Sequence, residues 1–451
     1  MLRGRVDPAP GSGNLAPNKR WRGLSGNALV LAAVASLLAA GLISACATLT
    51  VDFVYVTSSK AAGVNNYGEV DVFEVNSESG RMRQIPTSPF PSGGRNPVAE
   101  AVSSNYANLY VVNEDDNSIV QFAIGNDGKL YPQNTVNTPG VFPLAVAING
   151  SRMFVADLYQ PLPICSAAQP CSGSVAVFPL SSSGAPQSAV GNPAGDLNYW
   201  PLSVACSASN VIAPTAINAT ASGKYVFVTA VDTTAMAANT STPAEANSCD
   251  LTGAGTAPTG YVFAFAVNGS GALSAVPGSP FVVATRGSSG AGVQPSALTT
   301  DPDNGHLYLT DFNGGKVYAY SIGPGTLAQL SNSPFGAGSQ PAAIVLDSSG
   351  SYAYVANSLD NTITAYSVSD GVLSSFGTFA TGTQPVAMLV DPSTDQFVYS
   401  ANYLGGSVSG YQLTANGGTP NLVVTQGSPF TGNAQLTAMA AIPHGTPVKP
   451  Q

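Results

Sequence analysis

Residues 113–116, which read Asn-Glu-Asp-Asp, are the densest cluster of side chains that could do chemistry, and Arg95 precedes them. Clustered carboxylates beside a guanidinium could perform general acid–base work on an ester, with Glu114 as the acid or base and Arg95 holding an anion. The same oxygens could bind Ca²⁺. Because Asp and Asn are also common in solvated turns, a plain turn is the third interpretation, and the sequence leaves all three open.

A polar residue recurs where several short apolar stretches end. These side chains could line a polar mouth and contact a ligand there. Asn and Asp also accept hydrogen bonds from nearby backbone N–H groups, so capping a turn is the alternative role. The positions are Ser58, Asn113, Asp157, Asp311, Asn357 and Asn402, and Ala230 interrupts the series.

Two neighbouring aromatic residues, Tyr199 and Trp200, lie in a long connecting segment. If exposed, they could stack on sugars or apolar ligands. Alternatively, they fasten their own loop. The chain has two histidines, His306 and His444, and the sequence suggests no Ser or Cys partner for either. A nucleophilic triad therefore has no support.

These residues belong to a pattern that occurs seven times. Each unit has an aromatic residue followed by small or β-branched residues, then a second aromatic, and a proline introduces six of the units. Self-similarity at this period is typical of a β-propeller. The first aromatics are Tyr55, Tyr110, Phe154, Phe227, Tyr308, Tyr354 and Tyr399. The second are Phe73, Phe122, Phe178, Phe265, Tyr320, Tyr366 and Tyr411. The prolines are Pro97, Pro143, Pro214, Pro295, Pro341 and Pro385.

We therefore predict an all-β fold, a seven-bladed β-propeller of four-stranded antiparallel blades over residues 52–443. The innermost strands are expected to begin near residues 97, 143, 214, 295, 341 and 385. The first unit has no innermost strand of its own, and the chain ends with a spare apolar strand at 436–442. We expect that strand to complete blade one, which closes the ring and removes free sheet edges.

Unequal loop lengths predict where a ligand or partner binds. The longest connections join the second and third strands of blades one, three and four, or lead into blade four. Because successive strands alternate in direction, these loops are expected on one face. Insertions on one face of a repeat protein often form a binding surface.

The N-terminal segment predicts export. A basic stretch, Lys19–Arg22, is followed by 16 uncharged apolar residues at 28–43 and then by Ser44-Ala45-Cys46. This order is typical of a secretory signal, here residues 1–45. Its ending resembles the bacterial lipobox, which implies cleavage before Cys46 and lipidation of that residue. A transmembrane anchor is the alternative, but it needs roughly 20 apolar residues.

The resulting domain prediction has a lipidated tether at 46–51 and a C-terminal tail at 444–451. The predicted location is the bacterial cell envelope, with the chain anchored by lipid in the outer membrane or facing the periplasm. The remaining cysteines, Cys165, Cys171, Cys206 and Cys249, all lie in the predicted insertions.

Export makes disulfides plausible for those four cysteines. Three pairings are possible. We favour Cys165–Cys171 within one loop and Cys206–Cys249 between two loops, because each bond would rigidify a loop that has no core of its own. No histidine or Cys-x-x-Cys pair accompanies them, so we predict no metal site.

Composition limits the partners. The chain has a net charge of −9 and only 9% charged residues. An acidic surface without a basic stripe repels phosphate backbones, which excludes nucleic-acid binding. We expect a monomer without a cofactor. A redox propeller with a quinone cofactor and Ca²⁺ ranks last, because two tryptophans give little sign of the repeated Trp motif of such proteins.

Units such as Tyr354-Val-Ala-Asn357, Ile363-Thr-Ala-Tyr366 and Thr381-Gly-Thr-Gln-Pro385 resemble those of the lactonase-type seven-bladed propellers. This family includes 6-phosphogluconolactonase and the muconate cycloisomerase-like proteins. The resemblance covers residues 52–443. It implies an active site in which an Arg-His pair opens one inner strand and an Asn-Glu pair ends the next strand.

Blade five has Pro295-Ser296 and Thr310-Asp311 at those places, whereas blade two has Asn96-Pro97 and Asn113-Glu114. Since the Arg-His pair is missing, our main interpretation is a lipid-anchored envelope module that presents its long loops to a protein, glycan or small ligand. The alternative is an exported lactonase, a 6-phosphogluconolactonase-like ester hydrolase that uses Glu114 and Arg95.

Overall fold

The computed structural model describes residues 50–63, 65–206, 209–240, 256–286, 288–416 and 418–444. The predicted signal segment, the lipidation site at Cys46, Cys249 and the tail beyond residue 444 lie outside the described residues. Predictions that depend on them stay predictions.

Seven antiparallel sheets confirm the seven-bladed propeller. Blade one contains β1 (Thr50–Ala62), β2 (Tyr67–Asn76), β3 (Met82–Gln84) and β4 (Phe90–Pro91). Blade two contains β5 (Pro97–Val102), β6 (Asn108–Asn113), β7 (Ser118–Ile124) and β8 (Leu130–Asn137). Blade three contains β9 (Val141–Asn149), β10 (Arg152–Tyr159), β11 (Ser174–Pro179) and β12 (Trp200–Pro201). Blade four contains β13 (Ile212–Ala219), β14 (Tyr225–Asp232), β15 (Gly260–Val267), β16 (Leu273–Ala275) and β17 (Phe281–Val282).

The remaining blades repeat the pattern. Blade five contains β18 (Pro295–Thr300), β19 (His306–Asp311), β20 (Lys316–Gly323), β21 (Thr326–Gln329) and β22 (Phe335–Gly336). Blade six contains β23 (Pro341–Leu346), β24 (Tyr352–Asn357), β25 (Thr362–Ser369) and β26 (Val372–Ala380). Blade seven contains β27 (Pro385–Val390), β28 (Phe397–Asn402), β29 (Ser407–Asn416), β30 (Thr419–Val424) and β31 (Phe430–Thr431). The final strand is β32 (Leu436–Pro443).

The two ends of the described chain close the ring. Strand β32 pairs with β1 in antiparallel register, from Asp52 opposite Pro443 to Ser58 opposite Leu436. The predicted closure is therefore confirmed. Each innermost strand then contacts the innermost strand of the next blade, all the way around the ring.

The inner strands of blades three and four begin two residues earlier than predicted, at Val141 and Ile212. Proline lacks an N–H, but the residues before it still pair with the second strand, Val141 with Tyr159 and Ile212 with Asp232. A short helix, α1 (Thr233–Thr240), follows β14 and was not expected from the sequence. Its first turn is capped by Asp232, whose Oδ1 accepts a hydrogen bond from the Ala235 N–H at 2.8 Å.

Strand direction assigns every loop to one of two faces. We call the face on which the innermost strands begin the loop face, because the connections between second and third strands also lie there. The long segments of blades three and four are on this face, as expected. The turns between first and second strands, and between third and fourth strands, lie on the opposite face.

A Ser-Pro-Phe sequence divides the outer strand of four blades in two. In each case the serine Oγ accepts a hydrogen bond from an N–H of the third strand that the divided strand cannot pair. The bonds run from Val72 to Ser88, from Ala264 to Ser279, from Ala319 to Ser333 and from Gly410 to Ser428, at 2.8–2.9 Å. Buried N–H groups are thus satisfied without a continuous edge strand.

Tyrosines of the first aromatic series join neighbouring blades. Each ring is buried, and three hydroxyls donate to a glycine carbonyl in the third-to-fourth strand turn of the next blade. The bonds run from Tyr55 to Gly128, from Tyr110 to Gly184 and from Tyr399 to Gly80, at 3.2, 2.6 and 2.7 Å. The hydroxyls of Tyr308 and Tyr354 are equally buried, but they have no partner among the described residues.

Blade two has a buried carboxyl at a position where the six other inner strands have an apolar residue. Glu100 Oε2 accepts a hydrogen bond from the Thr57 hydroxyl at 2.5 Å, and the Ala440 N–H also bonds to this carboxyl group, whereas Oε1 is buried without a described hydrogen-bond partner. Burial raises the pKa of Glu100 to about 8. Glu100 therefore joins blade two to both strands of the ring closure. The equivalent residues are Val146, Ile217, Leu298, Ile344, Met388 and Met439.

We predict that replacing Tyr399 with Phe lowers stability, whereas replacing Tyr354 with Phe does not. The first change removes a buried hydrogen bond and leaves the Gly80 carbonyl unpaired, at a cost of about 1 kcal/mol. The second removes a hydroxyl that has no described partner. Differential scanning calorimetry should show a lower Tm for Tyr399→Phe only. Equal losses in both variants would mean that the blade-to-blade hydrogen bond is not the cause.

We predict that stability decreases as the pH rises from about 5 to 9. The pKa of Glu100 is about 8 in the folded chain against an ordinary value of 4.5. Its contribution is complete below pH 4.5 and is lost as the pH rises through 8. The loss is at most about 5 kcal/mol, since each pH unit between the two pKa values is worth about 1.4 kcal/mol.

Thermal unfolding at pH 5, 7 and 9 checks this dependence. Glu100→Gln keeps an acceptor for Thr57 but cannot ionise, so its Tm should vary less with pH than that of the wild type. Glu78→Gln is the matched control, because Glu78 is exposed on the opposite face. A Glu100→Gln curve that is parallel to the wild-type curve would assign the pH dependence to other carboxyls.

Candidate functional site

Short turns that lead into the innermost strands form the rim of the axial mouth on the loop face. In five blades the residue just before the inner strand accepts a backbone hydrogen bond from the end of the second strand or from the residue that follows it. These pairs are Asn96 with Glu114, Gln294 with Phe312, Gln340 with Ser358, Gln384 with Tyr403 and Gln435 with Ser59, at 2.8–3.0 Å. The rim is therefore built by the same backbone contact in each of these blades.

The predicted polar column stabilises these lead-in turns. Asp157 Oδ2 accepts from the Gly140 N–H at 3.2 Å, Asp311 Oδ1 from Gln294 at 2.9 Å, and Asn357 Oδ1 from Gly338 at 2.9 Å. Ser58 Oγ donates to the Ala434 carbonyl at 2.6 Å. The geometry supports the capping role among the two alternatives.

All members of the column are buried, with at most 3% of their surface exposed. Asn402 directs its amide to Ser407 and Ser409, while both amide atoms of Asn113 are buried without a partner among the described residues. Burial raises the pKa of Asp157 to about 7. A direct role of these side chains in ligand binding stays a prediction.

Arg95 contacts Asp116 and not Glu114. Its backbone N–H and its Nε each donate to Asp116 at 2.7 Å, and Nη2 also lies 2.6 Å from that carboxylate. Partial burial acts to raise the pKa of Asp116, but the hydrogen bonds and charge of Arg95 outweigh it and lower the pKa. Glu114 and Arg95, which were predicted to act as a pair, are therefore neighbours that bond to different side chains.

Glu114 is a half-buried carboxylate on the rim of blade two. Oε2 accepts a hydrogen bond from the Asn96 amide at 2.7 Å, while Oε1 makes no hydrogen bond to the described residues. Burial, and then the negative charge of Asp115, raise the pKa of Glu114. One oxygen is oriented and the other is open, which is an arrangement that can accept a proton from a bound water.

The part of the chain that the structure describes contains no site that fits the Ca²⁺ interpretation of residues 113–116. No group of three or more His, Cys, Asp or Glu side chains there could hold an ion. The cluster at 113–116 instead divides its carboxylates among Asn96, Arg95 and solvent.

Tyr199 and Trp200 are buried, so the interpretation that places them in an exposed stacking surface is wrong. They expose 5% and 7% of their surface. The indole Nε1 of Trp200 donates to the Leu273 carbonyl at 2.9 Å, and the Tyr199 carbonyl accepts from Asn192. Both residues fasten the segment that leads into blade four, which was the alternative interpretation.

The disulfide Cys165–Cys171 is formed, as predicted, within the long loop of blade three. Cys206 is also disulfide-bonded. Its predicted partner, Cys249, lies outside the described residues, so that pairing stays a prediction.

Two features near this site were not predicted from the sequence. Glu100 lies three residues into the inner strand of the same blade as Glu114, about 10 Å deeper at the usual rise per residue. Aligning the inner strands would have revealed it, since the other six positions are apolar. The second feature is the run of amide residues on the rim, which the same alignment shows just before the inner strand in five consecutive blades.

Comparison with known proteins gives the family. The model of the lactonase seven-bladed β-propeller family matches residues 53–195, 282–375, 324–425 and 358–451. No curated protein matches the sequence.

Similar solved structures agree on the fold. One, from Bacteroides fragilis and provisionally described as a 6-phosphogluconolactonase, is 18% identical, with a TM-score of 0.66 over 88% of this chain and 99% of that one. Another, the periplasmic gluconolactonase of Pseudomonas aeruginosa, is also 18% identical, with a TM-score of 0.64 over 87% of this chain and 99% of that one. Because the family model matches more than half of the chain, this protein belongs to the lactonase seven-bladed β-propeller family.

Proposed function

We propose that the protein hydrolyses a lactone on the loop face of blade two, with Glu114 as the general base. The observation that carries this proposal is the Glu114 carboxylate, which has one oxygen oriented by Asn96 and the other open. Its raised pKa makes it a stronger base than an ordinary glutamate. Membership of the lactonase family supports the choice of an ester as substrate.

In the proposed reaction, Glu114 removes a proton from water as the water oxygen attacks the lactone carbonyl carbon. The ring C–O bond then breaks, and the leaving alkoxide takes the proton from Glu114. Lactone and water are thereby converted to a hydroxy acid, and the carboxylate of Glu114 is regenerated. The base must be ionised for the first step, so the rate should increase with pH through the raised pKa of Glu114.

Arg95 is proposed to stabilise the negative charge that develops on the carbonyl oxygen. Nε and Nη2 are directed to Asp116 and to the Asp115 carbonyl, but Nη1 makes no hydrogen bond to the described residues. The Arg95 side chain is 52% exposed. Its contacts with Asp116 orient it beside the Glu114 turn, so one N–H edge remains available to an anion.

Export and lipid anchoring complete the proposal. The Cys165–Cys171 disulfide supports folding in an oxidising compartment. The basic and apolar leader and the position of Cys46 support lipidation after cleavage. Among the described residues, no helix has the length and hydropathy to cross a membrane.

A binding module is the second candidate function, and exposed apolar side chains favour it. Ile164, Leu359 and Leu404 expose 62–68% of their surface, and all three are in loops of the loop face. Side chains of this kind are available to a protein or glycan partner. In this candidate the long loops make the contacts, and Glu114 has no chemical role.

We predict that Glu114→Gln reduces lactone hydrolysis at least about 100-fold, because glutamine cannot accept the proton from water. Arg95→Ala should reduce kcat/KM by about 10-fold or more through loss of one charged hydrogen bond. Turnover of sugar and aliphatic lactones by the purified protein, measured by proton release, checks both. Glu78→Gln, the same change on the opposite face, should leave turnover unchanged.

Two outcomes would reject the lactonase proposal. Hydrolysis that survives Glu114→Gln would move the chemistry away from blade two. No turnover above the buffer rate with any lactone would favour the binding module, and partners of the Leu359 and Leu404 loops would then be sought.

A further inference from the structure

A cleft on the opposite face lies between blades two and three. It is bounded by the turn between the first and second strands of blade two and by two turns of blade three, which join its first and second strands and its third and fourth strands. Its volume is about 370 Å³, within the range of sites that hold a small ligand. We call it the serine cleft. Asn108, Ser151, Leu180, Ser182 and Gly184 are among the residues that line it.

The lining of the serine cleft is polar and has no ionisable acid or base. Five serines and two asparagines contribute to it, together with two glycines, Tyr110 and Leu180, and none of the described lining residues is Asp, Glu, Lys, Arg or His. A serine hydroxyl both donates and accepts hydrogen bonds, as a sugar hydroxyl does. An ionised ligand would find no counter-ion in this lining. The lining therefore favours a neutral, hydroxylated ligand.

A chain of three amides fixes the orientation of Asn108. Gln121 Nε2 donates to the Ser183 carbonyl at 3.1 Å and to Asn108 Oδ1 at 2.8 Å. Gln121 Oε1 accepts from the Asn134 amide at 2.8 Å. Because a backbone carbonyl can only accept, Gln121 must present Nε2 on that side, and Asn108 must present Oδ1 to it. The Nδ2 of Asn108 remains as a donor of fixed orientation.

This donor lies beside a glycine of the cleft wall. Asn108 Nδ2 makes no hydrogen bond to the described residues, although only 5% of the residue is exposed. Gly184 has a φ of 80°, and a Cβ built on it would lie 2.4 Å from Nδ2. Any other residue at position 184 would thus meet this nitrogen, whereas glycine leaves room in front of it.

Only blade two has this pair of amides among the seven units. Asn108 and Gln121 are both buried, and burial of a polar side chain lowers stability unless its groups are paired. The pair therefore has a cost that the other blades avoid, which favours a role in binding. The residues equivalent to Gln121 are Val72, Val177, Ala264, Ala319, Ala365 and Gly410. Those equivalent to Asn108 are Phe53, Arg152, Tyr225, His306, Tyr352 and Phe397.

The free groups of the cleft match an acetamido sugar. Ser151 and Ser182 are exposed and make no side-chain hydrogen bond to the described residues, so their hydroxyls can bind those of a sugar. The fixed N–H of Asn108 requires an acceptor that cannot rotate away, such as an amide carbonyl. Leu180 is the one aliphatic side chain of the lining, and it offers a contact for a methyl group.

We propose that the serine cleft binds an uncharged N-acetylated sugar, free or at the end of a glycan. Asn108 Nδ2 donates to the acetamido carbonyl, Leu180 packs against the methyl group, and Ser151 and Ser182 bind ring hydroxyls. The site is separate from the proposed hydrolytic site. Strand β6 begins at Asn108, and Glu114 follows its other end, about 20 Å away along the strand.

Saturation-transfer difference NMR of the purified protein with N-acetylglucosamine tests the site. Titration gives the Kd, and the acetyl methyl protons should show the largest enhancement because they contact Leu180. Glucose lacks the acetamido group and should bind at least about 10-fold more weakly. N-acetyl-L-alanine methylamide has that group without the hydroxyls, and it should also bind at least about 10-fold more weakly. N-acetylglucosamine 6-phosphate should bind no more tightly than the unphosphorylated sugar.

Two substitutions locate the binding. Asn108→Leu keeps the side-chain volume, removes the fixed donor, and should weaken binding at least about 10-fold. Its control is Asn126→Leu, an exposed turn residue of the same blade outside the cleft. Ser182→Ala should weaken binding about 3- to 10-fold with an unchanged Tm, since the hydroxyl has no partner to lose. Its control is Ser374→Ala, on the exposed outer strand of blade six. Both controls should bind as the wild type does.

Several outcomes would overturn the proposal. One is the absence of N-acetylglucosamine binding by the wild type. Another is wild-type affinity in Ser182→Ala and in a folded Asn108→Leu. Equal affinity for glucose would remove the role of the acetamido group, and equal affinity for the alanine derivative would indicate a site for peptide backbone. Binding that is lost in Glu114→Gln would place the sugar on the loop face. Tighter binding of the phosphate would contradict selection of a neutral ligand.

Discussion

Pairing of β32 with β1 is the interaction on which the rest of the structure depends. One blade cannot bury both faces of its sheet, and the packing between blades is complete only when the ring is closed. The chain closes it with seven residue pairs contributed by its two ends, from Asp52 to Ser58. Closure also brings Thr57 and the Ala440 N–H to Glu100, so the joint between blades one and two contains a carboxyl where other joints contain hydrocarbon.

Closure fixes the chemistry of the mouth as well as the fold. The inner strands must converge, which leaves little room for the turns that lead into them. Left-handed backbone at Asn96, Gln340, Gln384 and Gln435 makes those turns tight enough. Their carbonyls accept hydrogen bonds from the end of the second strand or from the residue after it, and Asp311 and Asn357 of the buried column accept from further N–H groups of the lead-in turns. Asp311 and Asn357, which the sequence suggested as ligand-binding residues, thus accept hydrogen bonds from the backbone.

The fold was predictable because a weak sequence pattern recurs in seven units. The aromatic series, the prolines and the spare strand at 436–442 each agree with one architecture. The site was less predictable, because its geometry depends on single contacts. No spacing rule says that Arg95 bonds to Asp116 instead of Glu114, or that Trp200 turns inward to the Leu273 carbonyl. The Ser-Pro-Phe segments and the amide residues that precede five inner strands were detectable by alignment of the units, but the hydrogen bonds that they make are visible only in the structure.

Position within a blade decides which carboxylates can react. Where related enzymes are expected to have an Arg-His pair, blade five has Ser296, whose hydroxyl bonds to the Pro341 carbonyl and so joins blades five and six. That place therefore holds a contact between two blades. Glu100 lies about 10 Å deeper along the inner strand, and burial raises its pKa to about 8. Glu114 combines partial burial, one oriented oxygen and one open oxygen, so the hydrolysis that we propose is expected to depend on blade two.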